Sequence, residues 1–543
     1  MSHSQIELLQ EEPTHHFHPL VSSGPKTDAQ GAPDYLNDNG DSADARRAFS
    51  DWASGRAVRV EVQGKPEGTG TSFVHSENAV KAQKVTSPGY GPWALRYGGH
   101  QFGGWADQLG DGRTVSLVET INPTNGQRVE VQLKGAGRTP YSRFGDGLAT
   151  LKSSVREFLA PEYMAALGIP TSRSLCVTAL PDVSVEREEM NTAAVNMRIA
   201  QSWLRIGNFE IHARHKEWES LRILGEYVSK HIFGWSEVVT DQGDAHRPPW
   251  AARLVQRVAE SNAVTVARWQ AYGFMHGVMN TDNIALTGET IDYGPYGFMD
   301  LFDEDCICNH SDYTGRYSYR MQPTMTLFAI DKLIDALAPV IGYEIINDQA
   351  PSPGVLQSAT RSDIAEWTDA ADAKREPIAL SLQRTMLGEW ETVWAARLGL
   401  LKADKELIDS LQIAITSLDM TRFMRGLCAV PEKVANNSPI ECIAQSLIEG
   451  ASHVQSDTGP SRVDLVTNWL KTYIERLCAE GRDAANVSAA MRKRNPRFVL
   501  RNWITDEVAQ RLEQFDTAFL EHVREMCARP FDEWQDEEVR LIS

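Results

Sequence analysis

Alternation of apolar and polar residues marks the first strands of this chain. It covers residues 58–62 and then residues 129–134. In the second segment valine and leucine share one face, and the opposite face carries Glu130, Gln132 and Lys134. A period of two residues predicts strands, with Lys134 pointing away from the apolar side of its own strand.

Apolar residues with helical spacing follow directly downstream. Apolar residues three or four positions apart predict a helix in which Glu157 lies off the apolar stripe and is free to turn toward a cleft. That stripe consists of Leu148, Leu151, Val155, Phe158 and Leu159. A second helix is predicted to begin at Pro248-Pro249-Trp250, since proline suits a first turn, and to end at Tyr272-Gly273.

The remainder of the chain is mostly helical in pattern. One apolar face covers residues 325–337, and further helices are predicted over about 376–425 and 460–540. Residues 1–55 differ, because they are polar, rich in Gly, Asp and Ser, and almost without periodicity. That composition predicts a disordered or loosely attached leader.

Composition narrows the class of protein. A length of 543 residues suggests roughly three structural units. A net charge of −19 argues against broad nucleic-acid or anionic-membrane binding, and no apolar run approaches the length of a membrane-spanning helix. The seven scattered cysteines contain no C-x-x-C pair, which favours reduced thiols over a disulfide framework or a zinc site.

A glycine-rich block follows the first predicted strand. Gly98-Gly99-His100-Gln101-Phe102-Gly103-Gly104 is followed by Leu109-Gly110-Asp111-Gly112-Arg113-Thr114 and by a predicted strand over residues 115–120. Strand, glycine turn, strand is the order of a loop that lies over nucleotide phosphates. Taken alone, a short glycine pattern favours an ordinary hairpin turn.

The segment from His276 to Asn283 carries the strongest chemical signal. It has the spacing of a kinase catalytic loop, H-R-D-L-x-x-x-N, and Asp292-Tyr293-Gly294 follows in the place of the metal-binding D-F-G. Val278 occupies the position of the kinase base, whereas Asp282 lies directly before Asn283. A carboxylate is therefore present, but at a displaced position.

The whole set of motifs resembles the selenoprotein O (SelO) family of pseudokinase-fold protein adenylyltransferases. The match is dense over about residues 86–330 and thinner beyond. The motifs that carry it are Tyr97-Gly98-Gly99-His100-Gln101-Phe102-Gly103, Leu109-Gly110-Asp111-Gly112-Arg113, residues 133–143, Gly145-Asp146-Gly147, Ser153-x-x-Arg156-Glu157, residues 276–283, residues 292–300 and residues 495–502. Some members end in a C-x-x-C or C-x-x-Sec pair that this chain does not share, since only Cys527 lies near Ser543.

The resemblance implies a fold and a domain organisation. The expected fold class is α+β, a two-lobed protein-kinase-like fold with an additional helical C-terminal region. Its expected parts are the leader at 1–55, an N-lobe at 56–200, a C-lobe at 201–325 and the helical region at 326–543. In this family a eukaryotic member would be mitochondrial and a bacterial one cytoplasmic, although the acidic first fifty residues do not look like a transit peptide.

The resemblance also implies roles for individual residues. Asp282 would accept the proton of a target hydroxyl, Asn283 and Asp292 would bind Mg²⁺, and Glu157 would support the phosphate-binding Lys134. The other expected contacts to ATP are Gly110, Gly112, Arg113, Asp146, Gly147, Arg198 and Arg205, of which the last two would grip the β- and γ-phosphates. The implied reaction is transfer of AMP from ATP to Ser, Thr or Tyr hydroxyls of target proteins, with no nucleic-acid partner and no membrane insertion.

Two other functions stay open at this point. An unconventional kinase that transfers the γ-phosphate would also use Asp282 beside a metal pair. A non-catalytic nucleotide-binding pseudokinase would explain Val278 at the position of the kinase base. The two arginines count against the kinase, and the complete set of Lys134, Glu157, Asn283 and Asp292 counts against the scaffold.

Overall fold

Six of the ten strands in the described chain form one antiparallel sheet, and the other four form two separate two-stranded sheets. The structure, a computed structural model, describes residues 58–59, 93–121, 128–187, 189–238, 247–452 and 460–534. The strands are β1 (Val58–Arg59), β2 (His100–Gln101), β3 (Gly104–Trp105), β4 (Thr114–Ile121), β5 (Arg128–Lys134), β6 (Ala149–Thr150), β7 (Arg173–Glu186), β8 (Met190–Ala200), β9 (Phe274–Met275) and β10 (Gly297–Phe298). The main sheet has the order β1-β7-β8-β5-β4, with β6 beside β8.

The predicted strands at 115–120 and 129–134 are β4 and β5, and the first two residues of the predicted strand at 58–62 are β1. The rest of that segment and the leader at 1–55 lie outside the described residues. Both faces of the second half of β5 are buried, so its polar face does not meet solvent as a simple two-sided strand would. Antiparallel pairing with β8 sets Gln132 opposite Arg198 and Lys134 opposite Asn196, which brings the charged residues of the two strands together.

Helices make up most of the remaining structure. They are α1 (Leu151–Ala166), α2 (Ile206–Arg214), α3 (Trp218–Tyr227), α4 (Ala251–Tyr272), α5 (Gln322–Asn347), α6 (Val355–Ser358), α7 (Arg361–Ala371), α8 (Arg375–Leu398), α9 (Lys405–Ala414), α10 (Met420–Leu427), α11 (Val430–Ala435), α12 (Ile440–Ala451), α13 (Pro460–Ala479), α14 (Ala484–Arg492), α15 (Asn502–Glu513) and α16 (Thr517–Ala528). The helices predicted to carry Glu157 and to follow Trp250 are α1 and α4.

Local capping residues divide the C-terminal helical pattern into short helices. Helix α8 ends at Gly399, whose φ of 69° lies in the left-handed region that glycine adopts most easily. Asp404 and Asp419 then accept backbone N–H groups at the starts of α9 and α10. Within the described residues the predicted helical regions are confirmed, and their interruptions follow from these caps; residues 535–540 of the second region lie outside the described residues.

The last two helices return to the beginning of the fold. Helices α15 and α16 pack on α1, and the hydroxyl of Tyr163 donates to the carbonyl of Phe498 at 2.9 Å. Their apolar residues join the largest core cluster, which also contains α1, α4 and α5, whereas a second cluster fills the space among α8 to α14. The C-terminal region therefore supports the helix that carries Glu157.

The α+β class with a helical C-terminal region is confirmed. The domain boundaries near residues 200 and 325 stay predictions. Within the described ranges, none of the helices combines the length and the apolar character that crossing a bilayer requires.

Candidate active site

A cavity of about 700 Å³ lies between the glycine loops, the end of β5, helix α1 and the segment around Asp292. Its walls include ten residues that the sequence predicted for the site. They are Gly110, Gly112, Arg113, Lys134, Asp146, Gly147, Glu157, Arg198, Asn283 and Asp292. Two predicted residues, Arg205 and Asp282, are absent from these walls and lie behind them.

Lys134 and Glu157, which were predicted to pair, form an ion pair. Lys134 Nζ lies 2.6 Å from Glu157 Oε2, and both side chains are largely buried. Strand β5 brings the lysine to the cavity, and α1 brings the glutamate, since its apolar stripe packs inward and leaves Glu157 beside it. The pair fixes the ammonium group at the cavity wall, where it can meet a phosphate.

Asp292 is the centre of a larger charge network. Its Oδ1 accepts from Lys134 Nζ at 2.9 Å and from Arg198 Nη1 at 2.6 Å, and its Oδ2 accepts from Arg205 Nη1 at 2.8 Å. Burial opposes ionisation, but the three cations hold the pKa of Asp292 well below its usual range. Asp292 is therefore a permanent anion at any physiological pH.

The backbone contributes to this placement of Asp292. Its φ of 57° is left-handed, which is uncommon for a residue other than glycine and costs free energy unless the surroundings enforce it. His276 helps to enforce it from the preceding residue, because its Nε2 lies 2.9 Å from the carbonyl oxygen of Ile291. Burial lowers the pKa of His276, so the imidazole is neutral and donates this hydrogen bond.

The two predicted phosphate-binding arginines occupy different positions. Arg198 lines the cavity, stacks over the Trp203 ring at 4.0 Å and donates to Gln132 Oε1 at 3.1 Å. Arg205 is 1% exposed and stacks over the Tyr97 ring at 4.6 Å. Both side chains are almost fully buried and both donate to Asp292, but Arg198 contributes to the cavity wall, whereas Arg205 holds Asp292 from behind.

Asp282 is buried with a single side-chain hydrogen bond to its carboxylate in the described structure, in contrast to Asp292 with its three cationic partners. It belongs to a 3₁₀ turn, Thr281–Asn283, and is 7% exposed. Gln101 Nε2 donates to its Oδ2 at 3.1 Å, while Oδ1 is buried without a hydrogen-bond partner in the described structure. Burial raises the pKa of Asp282 to about 6, which suits a group that accepts a proton near neutral pH.

The glycine-rich block at 98–104 covers Asp282 and does not line the cavity. It forms the β2–β3 hairpin, and the backbone N–H of His100 donates to Thr281 Oγ1 at 2.7 Å. A Cβ on Gly99 would lie 2.9 Å from Asp282 Oδ1, so glycine is needed there for the close approach. Residues 98–104 thus form the ordinary hairpin that a short glycine pattern favours, whereas Gly110 and Gly112 of the second block line the cavity together with Gly145, Gly147 and Gly294.

The cavity glycines are required by contacts between two loops. A Cβ on Gly110 would lie 2.5 Å from Tyr141 Cγ, and one on Gly147 would lie 2.1 Å from the Gly137 backbone. Beside Gly147, the Asp146 carboxylate accepts from Arg187 at 2.8 and 2.9 Å, and this hydrogen bonding lowers the pKa of Asp146. Asp146 at the cavity is thus already held by a cation.

Asn283 and Asp292 fit the role of magnesium ligands. The Asn283 amide donates to the Val278 carbonyl at 3.0 Å, which leaves the amide oxygen as its ligating atom. Mg²⁺ commonly takes one or two protein oxygens and completes its shell with phosphate and water. The described residues contain no cluster of three or more His, Cys, Asp or Glu side chains suited to a metal, so a site here would depend on the nucleotide phosphates.

Sequence reasoning gave no role to several residues of the cavity. Arg156 donates to the carbonyl of Tyr296 at 2.7 Å and to Asn502 Oδ1 at 3.1 Å, and so joins α1, the segment after Asp292 and α15. Arg187 reaches the cavity from the β7–β8 connection. Arg156 stood within a motif beside Glu157 and was identifiable, whereas only the folded hairpin shows where Arg187 lies.

The site has the arrangement of protein-kinase-like nucleotide-dependent transferases. In that arrangement a helix glutamate holds a strand lysine, and a loop brings an asparagine and an aspartate to the same cavity. The chain has that two-lobed α+β architecture and adds a helical C-terminal region. Val278 lines the cavity at the position of the kinase base, so the class is a kinase-like fold with altered chemistry.

Comparison with known proteins identifies the family. A family model described as protein adenylyltransferase SelO matches residues 69–528. A Schizosaccharomyces pombe protein named protein adenylyltransferase SelO, mitochondrial, is 38% identical over 451 residues, which are 81% of this chain and 77% of the relative. Proteins named protein nucleotidyltransferase YdiU from Ralstonia nicotianae and Burkholderia pseudomallei are each 40% identical, over 81% of this chain and 79% and 78% of their own lengths. The chain belongs to the SelO family of protein adenylyltransferases.

Proposed function

We propose that this protein transfers AMP from ATP to Ser, Thr or Tyr hydroxyls of target proteins and releases pyrophosphate. The observation that carries the proposal is the division of roles between two aspartates. Asp292 is held ionised among three cations at the cavity, and Asp282 has a pKa near 6 behind it. Pairs of carboxyl groups with opposed pKa shifts are typical of sites that need both a fixed anion and a proton acceptor.

The cavity offers suitable groups for the phosphates of ATP. Lys134, Arg198 and Arg113 line it, and guanidinium groups form charge-assisted, often bidentate hydrogen bonds with phosphate oxygens. Held in this way, the β- and γ-phosphates become the leaving group. Arg205 acts through Asp292, to which it donates at 2.8 Å, and it is a positioning residue in this proposal.

Asn283 and Asp292 would hold Mg²⁺ against the phosphates. When bound, the ion would neutralise charge that develops on the α-phosphate and on the departing pyrophosphate. Asp292 already has three cationic partners, so it would exchange at least one of these contacts for the ion.

The transfer step is a nucleophilic substitution at the α-phosphorus of ATP. The hydroxyl oxygen of the target attacks the α-phosphorus, the bond from that phosphorus to the oxygen bridging to the β-phosphate breaks, and pyrophosphate leaves. Asp282 takes the hydroxyl proton. Because the β2–β3 hairpin covers Asp282 and Gln101 donates to it, this step requires the hairpin to move away from the carboxylate.

The similarity to the named relatives supports a proposal about localisation. The fission yeast relative is named mitochondrial, and the bacterial relatives carry no such label. We expect a mitochondrial protein if the source is eukaryotic and a cytoplasmic one if it is bacterial.

Paired labelling tests the reaction. Purified protein with Mg²⁺ is incubated with ATP labelled at either the α- or the γ-phosphate, with itself and with a mixed protein extract as acceptors. Label transferred from the α-position alone supports the proposal. Label from the γ-position alone would identify a kinase, and no label from either position with intact ATP binding would identify a nucleotide-binding pseudokinase.

A further inference from the structure

We propose that Arg187 is a positioning residue for the nucleoside of ATP and that it acts through Asp146. The arginine holds the Asp146 carboxylate at the cavity wall, where that carboxylate accepts a hydrogen bond from the nucleoside. The resemblance to the family gives Arg187 no role. Its assignment here rests on the proposed use of ATP and names the part of the nucleotide that this side of the cavity binds.

Arg187 lies directly after β7 and forms a bidentate ion pair with Asp146. Its Nη1 donates to Asp146 Oδ2 at 2.8 Å, and its Nη2 donates to Asp146 Oδ1 at 2.9 Å. The same two nitrogens donate to the carbonyls of Glu186 at 2.7 Å and of Leu148 at 3.2 Å. A terminal guanidinium nitrogen carries two N–H groups, so these contacts occupy both nitrogens and hold Arg187 in place.

The Asp146 carboxylate can accept further hydrogen bonds from a bound molecule. Its Oδ1 also accepts from the backbone N–H of Leu148 at 2.9 Å. A carboxylate oxygen can accept more than one hydrogen bond, so Oδ2 can accept from a ligand beside its bond from Arg187. The Asp146 side chain is 40% exposed and belongs to the cavity walls, which a ligand would contact. Aspartates that bind ribose hydroxyls in this way recur in nucleotide sites.

Two parts of the cavity wall differ in burial and charge. The side chains of Lys134 and Arg198, the cations proposed for the phosphates, are 11% and 2% exposed. Asp146 and Arg187 lie in a more exposed part, and the hydrogen bonds from Arg187 lower the pKa of Asp146 and keep it ionised. An ionised carboxylate repels a phosphate and attracts hydroxyl and amino donors. The nucleoside therefore fits beside Asp146, and the phosphates fit beside Lys134 and Arg198.

The ion pair reduces the entropic cost of binding. An exposed aspartate without a fixed partner occupies several rotamers, and a ligand would have to select one of them. The planar fork of Arg187 fits both oxygens of Asp146, so the carboxylate is oriented before ATP binds. Removal of Arg187 should thus weaken binding of the nucleoside more than binding of the phosphates.

Calorimetric titration of the full chain with ATP, and separately with inorganic tripolyphosphate, tests this difference. The test variant is Arg187→Ala, and the matched control is Arg173→Ala. Arg173 also lies on β7, is 46% exposed, pairs with the carboxylate of Glu162 and lies outside the cavity walls. We expect Arg187→Ala to weaken ATP binding by roughly three- to tenfold, the size expected for one side chain that must be immobilised, and the control to bind like wild type. Tripolyphosphate should be affected less than ATP.

A double-mutant cycle tests whether Arg187 acts through Asp146. Asp146→Ala should weaken ATP binding at least as much as Arg187→Ala does. The double variant should bind no more weakly than Asp146→Ala, because the arginine has no further effect once its carboxylate is gone. Additive losses would instead show that Arg187 contacts the nucleotide itself, and this result would overturn the proposal.

Nucleotide analogues identify the donor that Asp146 accepts from. The triphosphates of 2′-deoxyadenosine, 3′-deoxyadenosine and inosine lack the 2′-hydroxyl, the 3′-hydroxyl and the adenine amino group, respectively. The analogue that binds wild type more weakly than ATP, but binds Asp146→Ala as tightly as ATP does, identifies the ribose hydroxyl or the amino group. Equal affinity of wild type for ATP and all three analogues would contradict a nucleoside contact at Asp146.

The kinetics of AMP transfer provide a separate measurement. Arg187→Ala should raise the KM for ATP more than it lowers kcat, because a nucleoside contact is much the same before and during the reaction. Equal weakening of tripolyphosphate and ATP in Arg187→Ala, or unchanged ATP binding, would overturn the role of Arg187 alone. Failure of the proposed reaction would be seen separately, as absence of α-label transfer by the wild-type chain.

Discussion

Two aspartates ten positions apart illustrate how strongly the surroundings decide what a carboxyl group does. Asp292 lies in a cationic region made by Lys134, Arg198 and Arg205, whereas Asp282 lies buried under the β2–β3 hairpin with one hydrogen bond from Gln101. Coulombic attraction outweighs desolvation at the first site, and desolvation outweighs everything else at the second. The pKa of Asp292 therefore falls and the pKa of Asp282 rises.

The comparison extends to stability. Ionised Asp292 neutralises buried cations and should stabilise the fold at neutral pH. In the described structure the Asp282 carboxylate forms no ion pair, so its ionised, buried form should destabilise the fold there. Asp292 therefore contributes to stability, whereas Asp282 lowers stability and serves the proposed reaction.

The largest effect is expected from Asp292→Asn. Among the described residues, the three buried or nearly buried cations would then keep only Glu157 and Asp111 as anionic partners, and the free energy of unfolding should fall by about 3 kcal/mol. Transfer of α-label should fall below detection, because the fixed anion is lost. Chemical denaturation and the labelling assay measure the two effects, with exposed Asp369→Asn as the control. Wild-type stability and turnover in Asp292→Asn would mean that the network does not depend on the charge of Asp292.

The second prediction concerns Asp282→Asn. Transfer should drop by roughly 10²–10⁴-fold, the range typical for loss of a general base, while ATP binding measured by calorimetry stays close to wild type. Val278→Asp in the same chain should not restore transfer, because residue 278 lies in the cavity wall, whereas Asp282 lies behind it. Parallel loss of binding and transfer would instead mean that Asp282 shapes the loop.

Asp282→Asn should also behave differently from Asp292→Asn in stability. The folded pKa of Asp282, about 6, lies above the unfolded value near 3.9, so the stabilising protonated form is lost as pH rises through 6. Near pH 7.5 the ionised carboxylate costs up to about 3 kcal/mol, and removing its charge should leave the melting temperature unchanged or higher. A marked fall in melting temperature at that pH would contradict the assigned environment.

The third prediction concerns the rate of AMP transfer, which should depend on pH through a single ionisation. The rate of AMP transfer should be constant above the Asp282 pKa and fall about tenfold for each pH unit below 6, because the protonated carboxyl cannot accept a proton. ATP binding should not follow this profile, since Asp292 stays ionised. Single-turnover rates from pH 5 to 8 provide the measurement, and a profile unchanged in Asp282→Asn would assign the titration to another group.

The smallest effect is expected from Gln101→Ala. The hydrogen bond from Gln101 favours the ionised form of Asp282, so its loss should move the midpoint of the pH profile upward by less than about one pH unit. Gln383→Ala, an exposed glutamine on α8, is the control. A downward shift would mean that removing the side chain admits water to Asp282, and that solvation matters more than the hydrogen bond.

Much of the fold could be predicted because its patterns are local. The periodicity of β5, α1 and α4 was sufficient to place Lys134 on a strand and Glu157 on a helix, and their ion pair is found at 2.6 Å. The strand prediction was incomplete in one respect. Period-two alternation cannot show that the polar face of β5 is covered by a charge network contributed from residues far along the chain.

The sequence by itself determined which groups are available: a lysine and a glutamate in order, a His-to-Asn loop without the kinase base, and two aspartates near it. Only the tertiary structure decided how these groups divide their roles. It placed Arg198 at the cavity and Arg205 behind Asp292, and it separated the two glycine blocks, with the first over Asp282 and Gly110 and Gly112 of the second at the cavity. The reason is physical, since burial and charge pairing depend on neighbours brought together across long separations, and these neighbours set the pKa of each carboxyl group.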